Sequence, residues 1–152
     1  MRGAPKATIV KALRPLALLA ASLAVPGGAL AVDAELDAKL RSAVEANLRG
    51  YNAEDAKATL AAVHEASPEY EPTKAVLEEQ FRDFDITATL VDFRTMGHDD
   101  EFVVARVKTR FESPDGSGFN DNVVDSIMLF HQEGGVWKLW SDEILGVEFQ
   151  AK

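Results

Sequence analysis

The hydrophobic period of this chain changes once along its length, and that change limits the folds open to it. Before Phe84 the apolar residues recur at helical spacing. From Phe84 onward they alternate, with Phe84, Ile86, Ala88 and Leu90 set between Asp85, Thr87 and Thr89. Helical spacing turns one face of a helix toward a core, and alternation does the same for one face of a strand. Helices first and strands second predict an α+β fold: three N-terminal helices packed on one face of a curved four-stranded antiparallel sheet.

The first helix is predicted from about Ala34 to Arg49, buried through Leu36, Leu40, Ala43, Val44 and Leu48 and ended by Gly50. Asn52 reads as the N-cap of the second helix, with Asp55 in the capping-box position. Ala56, Leu60 and Val63 form its buried stripe. Ser67-Pro68 opens the third helix, which starts or kinks at Pro72 and turns Val76, Leu77, Phe81 and Phe84 inward.

A polar turn over Met96 to Asp100 separates the first two strands. The second strand carries Val103, Ala105, Val107, Thr109 and Phe111 on one face and Arg106, Lys108 and Arg110 on the other. The last two form a hairpin, Val123 to Phe149, about Gly134-Gly135, a pair that supplies the positive φ of a tight turn. Both tryptophans, Trp137 and Trp140, lie in it, which makes the hairpin the expected centre of the sheet. The third strand is apolar on both faces: Val124, Met128 and Phe130 against Val123, Ile127 and Leu129. A sheet with one wet face does not need this. A homodimer through the sheet accounts for it, as does a sheet curled enough to cover both faces.

The N-terminus reads as an export signal. Arg2, Lys6, Lys11 and Arg14 precede an apolar run, Leu16 to Val25, and Ala29-Leu30-Ala31 is a small-x-small cleavage site. The run is shorter than the roughly 20 residues of a membrane-spanning helix. Cleavage after Ala31 leaves one domain, residues 32–152, secreted or periplasmic. The sixteen Lys and Arg of the chain fall to twelve against twenty-five acids, a net charge of −13. That charge repels nucleic acid and anionic lipid, so neither nucleic acid nor, after cleavage, membrane is an expected partner. There is no cysteine, which excludes disulfides and thiolate chemistry.

The turn Tyr51-Asn52-Ala53-Glu54-Asp55 between the first helices, the helices-then-meander order and the closing Gly134-Gly135-Val136-Trp137-Lys138-Leu139 resemble the nuclear-transport-factor-2-like superfamily, also called ketosteroid-isomerase-like or cystatin-like. Ser67-Pro68-Glu69-Tyr70, Phe119-Asn120-Asp121-Asn122 and Glu143-Ile144-Leu145 are similar to its small exported bacterial members of unassigned function. The resemblance spans about Leu36 to Phe149. It implies a cone-shaped fold with a pocket between helices and sheet. The superfamily hosts enzymes, binding modules and assembly domains. Its enzymes imply a carboxylate base with phenol and carboxylic acid donors, but the strand pair they carry between the second and third helices is replaced here by His64-Glu65-Ala66-Ser67.

Tyr51 is then a candidate pocket donor, and Asp125, embedded in an apolar strand, a candidate base if it faces the cone. If it faces outward, it pairs with Arg106 or Lys108 across strands. Tyr51, Met128, Trp137 and Trp140 are the expected ligand-binding residues, and Trp137 the side chain whose loss would leave the largest cavity. His64, His98 and His131 have no ligand spacing within an element, so neither a metal nor a cofactor is expected. The expected function is an exported binding or interaction module for a small apolar ligand or a protein partner. The alternative is a small acid–base enzyme of the isomerase or dehydratase kind.

Overall fold

The computed structural model describes residues 34–114 and 118–150. The expected signal, 1–31, lies outside them. The order of elements is α1 (Ala34–Asn52), α2 (Ala56–Leu60), α3 (Tyr70–Asp83), β1 (Thr87–His98), β2 (Phe102–Glu112), β3 (Asn122–Glu133) and β4 (Val136–Phe149). The strands form one antiparallel sheet in the order β1-β2-β3-β4. The hairpin therefore lies at an edge of the sheet, and not at its centre as its tryptophans suggested. No later strand among the described residues pairs with the far side of β4, so β2 and β3 are central.

The helices cover the face made by Phe93, Val103, Ala105, Val107 and Phe130, against which Leu40 and Val44 of α1 are buried. A second cluster joins Tyr51, Leu60, Leu77, Ile86 and Ala88 near the C-terminal end of α1. Gly134 (φ 59°) and Gly135 (φ 82°) make the β3–β4 turn, as their sequence requires. β1 shifts register at Val91 and Met96, and β4 at Trp140 and Leu145. Such bulges bend and twist the strands that carry them.

Several local expectations change. Gly50 does not end α1; the helix continues to Asn52. A Cβ at Gly50 would stand 2.6 Å from Thr59 N and 2.8 Å from Ala58 C, so its role is to let α2 approach the α1 backbone. Asp55, not Asn52, caps α2, accepting from Ala58 N at 2.9 Å. Asn52 instead clasps β1: its Nδ2 donates to Ala88 O at 2.9 Å and its Oδ1 accepts from Ala88 N at 2.7 Å. Long-range backbone bonds of this kind carry no signal in local sequence.

α2 ends at Leu60, before Val63, which pairs in parallel with Leu139 of β4. Leu139 N donates to Ala62 O, and His64 N to Leu139 O. α3 starts at Tyr70, with Ser67 Oγ accepting from Glu69 N in the turn before it. Val76 of α3 is exposed. β1 runs on through Met96 and Gly97 to His98, so the polar turn is confined to Asp99 and its neighbours, where Asp99 Oδ1 accepts from the N–H groups of Glu101 and Phe102.

Candidate functional site

α1 and α3 leave the start of β3 and the end of β4 uncovered. There the inner face opens into a pocket of ≈ 260 Å³ lined by Tyr51, Gln80, Phe111, Phe119, Val124 and Phe149, among others. Each wall has a local cause. Tyr51 occupies the last turn of α1 and Gln80 that of α3, so both helices end at the pocket. Phe111 closes β2, and Val124 and Phe149 are inner-face residues of the β3–β4 ladder.

Tyr51 meets Phe81 edge-on at 5.3 Å and Phe111 at 5.9 Å, and Phe84 meets Phe119 at 6.0 Å. Such geometry aligns ring edges with ring faces. The Tyr51 hydroxyl donates to Gln80 Oε1 at 3.2 Å. Burial pushes the phenol up to about 12, because the phenolate would have to be desolvated. The pocket thus offers apolar rings and valines, the neutral Tyr51–Gln80 pair and the Asn122 amide. It is smaller than the roughly 300–1,000 Å³ of sites for drug-sized molecules. Its chemistry suits a single ring or a short hydrocarbon chain with one hydrogen-bonding group.

The other residues singled out from sequence are dispersed. Asp125 lies on the outer face, away from the helices. Its carboxylate takes two bonds from Arg106, at 2.8 and 2.6 Å, with Lys108 Nζ 3.8 Å away. The Arg106 hydrogen bonds hold it below the usual carboxylate range. Tyr51 and Asp125 thus occupy opposite faces of the sheet and do not share a cavity. Met128 borders a void of ≈ 30 Å³ with Leu48 and Leu139. Trp137 is half-buried in a separate groove of ≈ 580 Å³ between α1 and the hairpin. Phe130, 1% exposed, is the fully buried aromatic of the core.

Trp140 belongs to the outer face, where it packs with His131 (5.2 Å), His64 (4.9 Å) and Phe102 (6.1 Å). The bulge beside it turns it there. Asp142, opposite Met128 and with no signal in sequence, has its carboxyl pushed up by desolvation, then by Glu69 and Glu143. Gln80, Phe119 and Phe149 were also missed; they meet only through the packing of three distant segments. Among the described residues no group of three or more His, Asp or Glu could hold a metal, and no helix is long and apolar enough to cross a membrane.

The family described as "Anti-sigma-I factor RsgI9, C-terminal domain" matches residues 42–150, which contain the whole sheet and the pocket. The chain belongs to this family. No curated protein matches it in sequence. Among solved structures, a Nostoc punctiforme protein of unknown function with a cystatin-like fold superposes at TM-score 0.62 and 10% identity, over 74% of this chain and 91% of that one. Aln2 from a Streptomyces species does so at 0.64 and 12%, over 77% and 92%. A nuclear-transport-factor-2-like protein of unknown function from Shewanella oneidensis does so at 0.56 and 7%, over 70% and 96%. The fold of this RsgI9 C-terminal-type domain is therefore nuclear-transport-factor-2-like, or cystatin-like. At such identities the likeness carries fold alone.

Proposed function

We propose that this RsgI9 C-terminal-type domain is an exported binding module whose cone-shaped inner face takes a small, neutral, largely apolar ligand at its open end. The observation that carries the reading is the pocket behind Tyr51: aromatic and valine walls, a phenol kept protonated, and neutral polar groups from Gln80 and Asn122. The family description is consistent with it, since it names the C-terminal domain of an anti-sigma factor. Export rests on the n-region, apolar run and Ala29-Leu30-Ala31 site.

The uncovered outer face supports a twofold dimer. Val104, Ile127 and Leu129 lie at its centre, and all three are only half-buried. A second copy laid on this face would complete its burial. For the ligand site, binding of the neutral dye Nile red is the direct probe. Phe149→Ala should weaken it by about fivefold, the effect of losing a partly buried aromatic wall, and should leave the fold unchanged because Phe149 is 66% exposed. A dye that does not bind, or binds the variant equally well, would remove the pocket as the site.

A further inference from the structure

β4 is an edge strand, and the free side of its second half is open. Near the hairpin that side is occupied: Leu139 bonds to the backbone of Ala62 and His64, and Ser67 Oγ donates to Trp140 O. From Ser141 to Phe149 no described residue takes the outward backbone groups. Nine residues at about 3.4 Å each leave roughly 30 Å of unpaired edge, interrupted by the bulge at Leu145. Natural proteins blunt such an edge with lysine, proline, bulges or inward-pointing charges. Residues 141–149 contain no lysine or proline, and carry only the bulge at Leu145 and Asp142 on the inner face.

The side chains along this edge are sorted by face. Ile144, Val147 and Phe149 point to the inner face opposite Ser126, Val124 and Asn122, and are 55%, 43% and 66% exposed. Glu143 and Glu148 point to the outer face opposite Ile127 and Val123, exposed and with no ion pair among the described residues. An added strand would thus meet Ile144, Val147 and Phe149 on the inner face, with Asp142 at its start, and the carboxylates of Glu143 and Glu148 on the outer face.

We propose that the edge of β4 over Ser141–Phe149 pairs with an extended segment of a protein partner in which Lys or Arg alternates with apolar residues. The basic side chains would lie beside Glu143 and Glu148, and the apolar ones would continue the inner wall past Val147 and Phe149. Backbone bonds would supply affinity and the alternation specificity. A second copy of β4 suits the edge less well. Antiparallel self-pairing centred between Leu145 and Gly146 sets Glu143 opposite Glu148 on the outer face, twice over by symmetry, and Asp142 opposite Phe149 on the inner face. Like charges directly opposite are unfavourable.

The test uses capped decapeptides alternating Val with Lys, or Val with Glu, added to the protein spanning 32–152. Affinity is read by titration calorimetry and location by amide hydrogen exchange. The Val–Lys peptide should bind and slow exchange within 141–149, and the Val–Glu peptide should not. Glu143→Lys/Glu148→Lys changes only exposed side chains; it should weaken Val–Lys binding by about tenfold and admit the Val–Glu peptide. Binding without protection of 141–149, or affinity indifferent to the charge reversal, would overturn the proposal. So would protection of those amides in the protein alone, rising with its concentration, since a second copy would then hold the edge. Neither substituted residue lines the dye pocket, so a failure here is distinct from a failure of the ligand site.

Discussion

Tyr51 carries a pH dependence whose direction its environment fixes. Its phenol titrates near 10 in the unfolded chain and at about 12 in the fold. Above pH 10 the unfolded state loses a proton that the folded state keeps, so stability is full below that value and falls as pH rises toward 12. The loss amounts to about 2–3 kcal/mol at most. Urea midpoints measured at the two ends of this window should fall accordingly, and Tyr51→Phe should flatten the dependence while losing the bond to Gln80. An unchanged slope in the variant would mean that another group titrates. Asp125 shows the opposite case: an acid conspicuous in sequence is held in its charged form by Arg106 on a solvated face. Trp137 likewise is half-buried in a groove, while Phe130 fills the core.

At the scale of elements, the contact between α1 and α2 rests on a missing side chain. Ala is a better helix former than Gly by about 1 kcal/mol, so propensity alone predicts that Gly50→Ala stabilises α1. The backbone of Thr59, 2.6 Å from the added Cβ, predicts the reverse. The helices must part, and the overpacking should leave a net loss of roughly 1–3 kcal/mol in urea unfolding. A variant as stable as the parent would show that α2 yields without cost. The loop after α2 matters in the same way: Ala62, Val63 and His64 pair with Leu139 and so fix the start of β4 against the helices.

For the whole molecule, the two sheet faces divide the work. The inner face holds the core and the Tyr51 pocket, and the outer face holds the Arg106–Asp125 pair and the Phe102, His131 and Trp140 cluster around half-buried aliphatic side chains. Protein recovered after export should begin at Val32 by N-terminal sequencing and scatter light with about twice the mass of one chain. An intact Met1 would end the export reading. A strict monomer at high concentration would leave the outer face to bulk solvent and remove the dimer.

The change of hydrophobic period at Phe84 was enough to determine the class, the order of elements and the glycine turn, because each is a local property of backbone and side-chain alternation. The grouping of β2 residues by face was equally legible, Val103 with Val107 on one and Arg106 with Lys108 on the other. The sequence left two positions open for Asp125, inside or outside, since a period of two says which residues share a face but not which face is covered. Tertiary packing settled that, by laying α1 on Phe93, Val107 and Phe130. It also decided that Gly50 continues a helix, that Asn52 clasps β1 rather than capping α2, and that the hairpin is an edge. The pocket belongs wholly to this second group. Tyr51, Gln80, Phe119 and Phe149 come from segments far apart in the chain, and only the ends of two helices meeting the open end of a curved sheet bring them together.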